Sequence, residues 1–387
     1  SLPQNPETKP HRLADRHLEE FLMSRIFGTL TILLVAASSV AFAQGQPRPL
    51  AVLPGLGKTL DPAQVDLGRQ LFFDPRLSGD ATISCATCHI PEHGWADGIT
   101  LSKGYPGTRY FRNTPTVVNA ALGRLMYWDG RLPSSDLPTL VRDHISEAHF
   151  LQADGRLVIE RMRQVPEYER QFKSAFGGEP TYGRILNSVA AFVSSLTSQD
   201  VPFDKFLAGD EVAISDAAKQ GLELFKGKAG CIQCHDGPML SDGGFHSLGL
   251  NANPAIFQDP LRHVTFRRFF RTLGVPDYAS MRQDAGLYCV TKVKRDRELM
   301  RTPTLREVSR TAPYMHDGQL PTLKSVVSFY NAGGGPRASK DARLKPLGLS
   351  DAEQADLVEF LKTLSGKPIN VARPELPKYQ LRKLGEN

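Results

Sequence analysis

The chain has 387 residues, 41% of them hydrophobic, and its mean hydropathy is −0.28. This balance excludes a disordered chain, a collagen-like repeat and a protein with several membrane spans, and the length suggests two or three domains at ~100–200 residues each. The 47 Lys and Arg against 41 Asp and Glu leave a net charge of +6, too small and dispersed to indicate a nucleic-acid partner, and five cysteines are too few for a disulfide scaffold.

The first 43 residues predict an export signal rather than part of the fold. Residues 26–43 are apolar or small, follow Arg25 and end in Ala-Phe-Ala. This pattern is typical of a secretory signal peptide, here starting at Met23 and cleaved after Ala43, with residues 1–22 upstream of it. The alternative is an uncleaved membrane anchor, for which the apolar stretch is marginal against the ~20 residues that a span needs. We therefore expect a periplasmic protein, bound to the membrane only if this segment is not removed.

In chain order, apolar residues at helical spacing predict a mostly helical protein. The predicted helices cover residues 63–73, 157–176, 182–196, 215–225, 321–330 and 350–364. Long loops rich in Gly, Pro and Asp lie between them, notably residues 91–116 and 236–260. Loops of this length in a compact domain are expected to surround a ligand or to carry function.

Two segments of the chain share one pattern. Gly-x-x-Leu-Phe at 68–72 leads to Cys-Ala-Thr-Cys-His at 85–89, and the same pattern at 221–225 leads to Cys-Ile-Gln-Cys-His at 231–235. The repeat indicates the duplication of one unit. We predict a first domain of residues 44–203 and a second of residues 204–387.

The Cys-x-x-Cys-His sequence is the attachment signature of c-type haem. Two thiols at this spacing reach the two vinyl groups of one porphyrin, and the adjacent imidazole binds the iron from below. A redox-active cysteine pair or half of a zinc site does not need the histidine, and neither explains the pentapeptide occurring twice. We therefore predict two covalent haems, held through the following residues: Cys85, Cys88, His89, Cys231, Cys234 and His235. The remaining Cys289 is expected to be a buried apolar thiol.

The function of each haem depends on the other face of its iron, because a second protein ligand favours electron transfer and an open face allows peroxide to bind. Tyr330 is one candidate ligand. Together with Leu323, Val326 and Val327 it follows the i, i+3, i+4, i+7 spacing that places its phenol on the buried face of a helix. On that pattern alone, a core tyrosine is the commoner outcome.

Several further motifs occur in a fixed order. They are Leu-Phe-Phe-Asp-Pro-Arg-Leu-Ser at 71–78, Arg-Asn-Thr-Pro-Thr at 112–116, Tyr-Trp-Asp-Gly-Arg at 127–131, Arg-Thr-Pro-Thr-Leu-Arg at 301–306 and Thr-Ala-Pro-Tyr-Met-His-Asp-Gly at 311–318. With the two haem motifs, the chain resembles the bacterial dihaem cytochrome c peroxidases, and within them the MauG-like branch. The resemblance implies a mainly α fold of two cytochrome c-like haem domains with long loops and few strands.

Two positions favour the MauG-like branch. Sixteen residues after Tyr314, where ordinary members carry the methionine ligand of the second haem, this chain has Tyr330. Sixteen residues after His89, where ordinary members carry a histidine that caps the first haem, it has Tyr105. The resemblance therefore implies that Tyr330 binds the second haem and that the first haem is open to hydrogen peroxide.

The resemblance also assigns roles around the first haem. Trp128 matches the family residue that relays electrons between the haems, whereas a lone tryptophan is more often a core residue. The family places its acid–base glutamate about twenty residues later, and Glu147 lies one residue short of that spacing, with His144 as the second candidate. The accompanying Gln and Pro of the family are replaced by Pro138 and Arg142.

The family also holds a calcium ion between its domains. The matching positions are Asn113, through its side chain, and Thr311 and Pro313, through their carbonyls. Oxygen donors of this kind suit a hard cation.

A basic segment could contact a partner. It contains Arg262, His263, Arg267, Arg268, Arg271, Lys292, Lys294, Arg295 and Arg297, interleaved with phenylalanines. Aromatic and basic residues together can indicate stacking on nucleic acid, but export makes that partner improbable. We expect these residues to pair with haem propionates or to contact an acidic redox protein. For most of the charges, the simpler interpretation is a solvent-exposed face.

Together these features predict an exported dihaem peroxidase. Hydrogen peroxide would react at the first haem, and a protein substrate or redox partner would be oxidised by long-range electron transfer. One alternative is an ordinary cytochrome c peroxidase that removes peroxide with a small redox-protein donor. A second is a dihaem electron carrier without catalytic activity.

Overall fold

In the computed structural model, residues 46–379 are described, so the predicted signal peptide lies outside the described residues. Helices dominate and strands are few. The longer helices are α1 Pro62–Phe73, α2 Leu137–Ser146, α3 Gly155–Arg163, α4 Pro166–Phe176, α5 Tyr182–Ser195, α6 Pro202–Leu207, α7 Asp216–Lys226, α9 Pro260–Thr272, α11 Leu323–Asn331 and α12 Asp351–Lys362; the four-residue α8 and α10 cover Ala255–Gln258 and Tyr288–Thr291. Within residues 46–379 no helix is both long and apolar enough to cross a membrane.

The strands form two small antiparallel ribbons. Leu125–Met126 (β1) pairs with Leu132–Pro133 (β2), and Phe245–His246 (β3) pairs with Met300–Arg301 (β4). Most of the two long loops predicted from the sequence has no regular structure. The expectation of a mainly α protein with few strands is confirmed.

Local sequence explains where the helices begin and end. Asp61 caps α1 through the amide of Ala63, and Ser350 with Glu353 forms a capping box at α12. The single helix predicted over 157–176 is wrong, because the chain forms α3 and α4 with a break before Pro166. Proline has no amide hydrogen and favours the first position of a new helix, which here is the first residue of α4.

The two Gly-x-x-Leu-Phe segments lie in matching helix pairs. α1 packs on α5 and α7 packs on α12, the two most extensive helix contacts of the described chain. A Cβ on Gly68 would overlap the carbonyl oxygen of Ser188, and a Cβ on Gly221 would overlap that of Asp356. Only glycine allows the backbones to approach so closely at these two crossings. We call these contacts the first and the second helix crossing.

Buried apolar side chains form three clusters. The first surrounds α1 to α5, and the second surrounds α6, α7, α11 and α12. The described residues from Pro47 onwards nevertheless form one compact unit, so the boundary between residues 203 and 204, which falls inside α6, stays a prediction.

The third cluster contains the phenylalanines of the basic segment. Phe266, Phe269 and Phe270 lie on the inner side of α9 and are at most 5% exposed. They are therefore core residues and not stacking surfaces. Cys289 is buried in the same cluster, which confirms its prediction as a buried thiol.

The end of the chain returns to the first cluster. Ile369 and Val371 pack against it, and the carbonyl of Ile369 accepts a hydrogen bond of 3.1 Å from the indole of Trp95. Further along, Arg76 donates to the carbonyl of Pro377 at 2.8 Å and lies 4.9 Å from the ring centroid of Tyr379. Residues 369–379 form what we call the C-terminal strap.

Candidate haem sites

Both Cys-x-x-Cys-His motifs adopt the same local structure. Cys85–Thr87 and Cys231–Gln233 are single 3₁₀ turns. In each motif the amide of the histidine donates to the carbonyl of the first cysteine at 2.9 Å. The duplicated sequence therefore forms the same turn twice, and each turn carries two cysteine side chains and one histidine side chain.

The two histidines are held in the form that binds iron. Nδ1 of His89 is 3.1 Å from the carbonyl of Trp95, and Nδ1 of His235 is 3.0 Å from the carbonyl of Leu240. A carbonyl only accepts, so each Nδ1 carries the proton and each Nε2 keeps its lone pair. Burial lowers the pKa of His89 to about 4 and also lowers that of His235, so both rings are neutral at pH 7.

None of the four motif cysteines takes part in a disulfide within the described residues, so all four sulfurs are available for attachment to porphyrin. Burial raises the pKa of Cys85 and of Cys231 to about 12. With two unpaired cysteines and one neutral imidazole on each of two matching turns, the residues present fit a covalent haem at each motif.

A cavity of about 470 Å³ adjoins the second motif. Cys231, Cys234 and His235 line it, and so does Tyr330 from α11. Burial raises the pKa of the Tyr330 phenol, and its hydroxyl makes no hydrogen bond with the described residues. The predicted helix face thus brings Tyr330 to the same cavity as the second haem motif.

Arg301 in β4 lines the same cavity. Its side chain donates to the carbonyls of Tyr127 and Thr302, and no carboxylate within residues 46–379 forms an ion pair with it. Burial lowers the pKa of Arg301 to about 10. A buried cation without an anionic partner suits a haem propionate.

One group of donors beside the cavity has the arrangement of a metal site. It consists of Cys234, Asp242 and His246. Cys234 belongs to the haem motif, however, and Nε2 of His246 is 2.8 Å from Asp242 while Nδ1 is 3.1 Å from Asp341. Burial alone would lower the pKa of His246, but the hydrogen bond to Asp242 helps to raise it to about 10. The group is better described as a charged wall of the haem cavity.

Trp128 also lines this cavity, and its indole donates to the carbonyl of Asn113 at 2.9 Å. The preceding residue, Tyr127, has a positive φ of 62° and stacks on His144 at 5.5 Å, beside the first motif. Two consecutive aromatic residues therefore contact the two candidate haem sites.

The region near His89 contains the two predicted acid–base candidates. The ring centroids of His89 and His144 are 6.4 Å apart. Nδ1 of His144 is 2.9 Å from the carbonyl of Leu140, and burial lowers the pKa of His144 to about 4. His144 is thus a neutral imidazole close to the first haem ligand.

Glu147 follows α2 and lies within a cluster of polar groups. Its Oε2 is 2.9 Å from Nε2 of His149 and 3.7 Å from Nη2 of Arg131. These three atoms are shielded from solvent, and none has a well-aligned hydrogen bond within the described residues. Burial would raise the pKa of Glu147, but His149 and Arg131 outweigh burial and hold it below its ordinary value. We call Glu147, Arg131 and His149 the carboxylate cluster.

Two further predicted positions can be placed. Tyr105 lies beside Asp80. Burial raises the pKa of the Tyr105 phenol, and the neighbouring Asp80 carboxylate raises it further. Asn113, Thr311 and Pro313, the predicted calcium positions, all line the cavity of the second motif. The amide nitrogen of Asn113 donates to the carbonyl of Ile99 at 2.9 Å, which leaves its side-chain oxygen available.

Four residues of the two sites have no role that their sequence pattern alone predicts: Tyr127, Arg131, His149 and Arg301. Tyr127, Arg131 and Arg301 belong to the motifs at 127–131 and 301–306. The motifs therefore mark these residues, but their contacts become known only from the fold. The fold places His149 against Tyr110, with ring centroids 4.9 Å apart and nearly parallel planes.

Two haem turns on one helical chain define a dihaem c-type protein, and comparisons with known proteins agree. Residues 62–212 match the family model described as di-haem cytochrome c peroxidase. Cytochrome-c peroxidase IdrP2 of Pseudomonas sp. (strain SCT) is 48% identical over 358 residues, which cover 92% of this chain and 96% of that protein. Methylamine utilization protein MauG of Methylorubrum extorquens is 38% identical over 332 residues, covering 85% of this chain and 86% of that protein.

A solved structure supports the same assignment. A MauG-like protein associated with microbial copper homeostasis is 28% identical, with a TM-score of 0.68 over 83% of this chain and 94% of that chain. The chain belongs to the dihaem cytochrome c peroxidase family, in its MauG-like branch. It is an oxidoreductase of the peroxidase class, and its family carries two c-type haems.

Proposed function

We propose that this protein uses hydrogen peroxide to oxidise a periplasmic protein substrate or redox partner by long-range electron transfer. Cys85, Cys88 and His89 would hold the haem that supplies the chemistry with peroxide. Cys231, Cys234, His235 and Tyr330 would hold the second haem. Each haem lies in its own cytochrome c-like domain of an exported chain.

The observation that carries the proposal is Tyr330. The half-buried Tyr330 side chain lines the same cavity as a complete haem motif, so its phenol oxygen is placed where a ligand for that haem is needed. Bound to iron, the phenol would lose its proton, because a metal ion stabilises the anionic oxygen. An anionic oxygen ligand favours the oxidised iron, whereas a methionine raises the reduction potential. This ligand therefore suits a second haem that shares oxidising equivalents.

Trp128 is proposed as the relay between the haems. It lines the second cavity, and its neighbour Tyr127 stacks on His144 beside His89. The hydrogen bond from the indole to the carbonyl of Asn113 fixes the ring. A fixed aromatic ring between two redox centres shortens the electron-transfer steps.

The carboxylate cluster is proposed to move protons on peroxide. Glu147 is ionised and lies next to Arg131 and His149, and one polar atom of each has hydrogen-bonding capacity left for a small polar molecule. An ionised carboxylate can accept the peroxide proton and return it to the departing oxygen. Arg131 stabilises negative charge that develops there.

Calcium is proposed at Asn113, Thr311 and Pro313. Their shared position on one cavity and the available side-chain oxygen of Asn113 support oxygen coordination. So few protein ligands require water to complete the shell.

The proposal is tested on the purified holoprotein with hydrogen peroxide and a reduced c-type cytochrome. Peroxide-dependent oxidation of the cytochrome is expected, and its absence would overturn the peroxidase proposal and favour the electron carrier. With no donor present, one equivalent of peroxide should leave an oxidised protein that persists and later oxidises added donor. Rapid return to the resting spectrum would favour the ordinary detoxifying peroxidase.

Tyr330→Met tests the ligand. Replacing an anionic oxygen ligand with a thioether should change the low-spin EPR signal of the second haem and raise its reduction potential. Tyr314→Phe is the matched control, because Tyr314 lines the same cavity but donates its hydroxyl to the carbonyl of Val308. An unchanged Tyr330→Met spectrum would exclude Tyr330 as a ligand.

A further inference from the structure

The excess positive charge of the chain is concentrated in one segment. Residues 261–297 hold nine Lys and Arg against three Asp and Glu, and this surplus of six equals the net charge of +6 of the whole chain. The rest of the sequence is therefore balanced. Of the eight large hydrophobic side chains that are exposed among residues 46–379, four lie in the same segment: Leu261, Val264, Val290 and Val293.

These charged and apolar side chains share one surface. Four exposed residues follow the i, i+3, i+7, i+10 spacing of one face of α9: Leu261, Val264, Arg268 and Arg271. Residues 290–295 are also exposed, and they lie beside the end of α9 because the side chain of Lys292 donates to the carbonyl of Leu273. We call this stripe of α9 together with residues 290–295 the basic face.

The cations of the basic face have little anionic compensation. Arg268, Arg271 and Lys294 form no ion pair with a carboxylate within residues 46–379, and Arg295 has only its sequence neighbour Asp296, at 3.9 Å. Among the described residues, the basic face contributes nothing to the lining of the second cavity, where Arg301 lies. Arg301 is thus placed to pair with a haem propionate of that site, and the charge of the basic face is directed to solvent.

The basic face is one structural element away from each candidate haem site. On the inner side of α9, the ring of Phe269 lies 5.6 Å from the ring of His149 in the carboxylate cluster. A single helix, ~10 Å across, therefore separates that cluster from the basic face. In the other direction, residues 290–295 lead towards β4, where the amide of Arg301 donates to the carbonyl of Trp128 at 2.8 Å.

The chemistry of the basic face selects an acidic protein as its partner. The face contains no aromatic side chain, whereas binding to single-stranded nucleic acid or to a membrane interface commonly uses exposed aromatic rings. A second copy of the chain would bring the same excess of positive charge, and like charges oppose docking. Exposed apolar side chains beside unpaired cations instead provide contact area and charge for an acidic protein surface.

We propose that the basic face is the docking site of a small redox protein with an acidic surface, which donates its electrons from this position. This inference rests on the proposed peroxidase function and specifies its partner by charge. Each encounter transfers one electron from the partner to this protein. Two encounters supply the two electrons that, with two protons from solvent, reduce one hydrogen peroxide to two waters. Opposite charges increase the rate of encounter more than the strength of the complex.

Steady-state peroxide-dependent oxidation of two reduced c-type cytochromes tests the proposal, one with a negative and one with a positive net charge at pH 7. At low salt, kcat/KM should be at least roughly tenfold higher for the acidic cytochrome. It should fall at least roughly tenfold between about 0.01 and 1 M ionic strength, as the screening length decreases from ~30 to ~3 Å. Equal values for both cytochromes, or no salt dependence with the acidic one, would overturn the proposal.

A triple charge reversal localises the effect to the basic face. The variant combines Arg268→Glu, Arg271→Glu and Lys294→Glu, and its kcat/KM for the acidic cytochrome should fall at least roughly tenfold. Its haem absorption and EPR spectra should match the wild type. The matched control reverses three exposed cations of α3 and α4: Arg156→Glu, Arg170→Glu and Lys173→Glu. Equal losses in both triple variants would show that net charge, and not the basic face, governs the encounter.

Binding is measured separately, without peroxide, by calorimetric titration of the acidic cytochrome into the holoprotein at low salt. Affinity that falls at least roughly tenfold in the basic-face variant supports the docking site even if no peroxide turnover occurs, and only the peroxidase function is then rejected. Unchanged affinity would overturn the docking site whether or not turnover is seen. Phosphatidylserine vesicles and duplex DNA serve as competitors, and tighter binding of either one to the basic face would overturn the assignment of an acidic protein.

Discussion

The two haem motifs are alike on one side and different on the other. Each is a 3₁₀ turn with its histidine held by a backbone carbonyl, and each is preceded by a helix whose glycine packs against a partner backbone. Even the next contact repeats, because a Cβ on Gly68 would lie 2.9 Å from Cβ of Phe192, and one on Gly221 would lie 2.8 Å from Cβ of Phe360.

The surroundings diverge beyond these turns. The first site has His144, the stacked Tyr127 and Phe150, and the carboxylate cluster. The second has a cavity with Tyr330 and the unpaired Arg301. Duplication therefore retained the turn that holds each haem, while residues from other helices and loops made the two sites different.

The largest expected effect is on activity, from a substitution in the carboxylate cluster. Among the described residues this cluster lies at the first site. Glu147→Gln keeps the shape but removes the base, so kcat/KM for peroxide should fall by about 10²–10⁴-fold. The measurement is steady-state oxidation of a reduced cytochrome. Glu211→Gln, at an exposed carboxylate, serves as the control and should retain activity. Activity within twofold of wild type, about the error of such assays, would remove Glu147 from the acid–base role.

A buried ion cluster joins the segments that carry the two sites. Arg112 contacts Asp129 at 2.6 Å and Asp284 at 2.7 Å, and all three side chains are at most 4% exposed. Arg112→Ala would leave two buried carboxylates without their shared cation, at a cost of about 3–5 kcal/mol in the free energy of unfolding. Denaturant unfolding of the holoprotein measures it. Arg156→Ala removes an exposed pair with Asp154 and should change stability little, so equal losses in both variants would contradict the account.

The two helix crossings should respond equally if they are true equivalents. Gly68→Ala and Gly221→Ala each force a Cβ against a carbonyl oxygen, and each should lower the free energy of unfolding by about 1–3 kcal/mol. Gly183→Ala, at a helical glycine with open space around its Cβ position, is the control and should be neutral or slightly stabilising. A loss at one crossing alone would show that the repeat is not structurally symmetric.

The smallest expected effect is a displacement of the pH profile. Glu147 must be ionised to act as a base, so activity should persist as the pH falls and disappear only below the ordinary carboxyl pKa, because Arg131 and His149 hold the pKa of Glu147 down. Arg131→Gln removes one cation, which raises that pKa and moves the acidic limb of kcat/KM to higher pH. An unmoved limb would show that Arg131 does not act on Glu147.

Some of this site could be predicted from the sequence because its chemistry is local. The Cys-x-x-Cys-His motifs lie within five residues, and the helical spacing of Tyr330 already directs its phenol inwards. The prediction of one helix over 157–176 was wrong because apolar periodicity takes no account of Pro166, which has no amide hydrogen. α2 and α9 were not predicted, because their residues were interpreted as functional or charged segments.

Other parts of the site depend on contacts between distant segments. The neighbourhood of His89 and His144, 55 positions apart, arises from the packing of α2 beside α5, which no spacing rule contains. The pairing of Glu147 with Arg131 and the isolation of Arg301 likewise require the assembled fold. The sequence predicts which groups hold the haems, and tertiary structure decides what faces them.

The C-terminal strap has a consequence for how the first haem site is closed. The first cluster receives Ile369, and Trp95 and Arg76 donate hydrogen bonds to carbonyls 274 and 301 positions further along the chain. The packing behind the first Cys-x-x-Cys-His turn is therefore completed by a segment distant in sequence. Until the strap docks, the first turn has fewer contacts, and its cysteines are easier to reach for the attachment of haem.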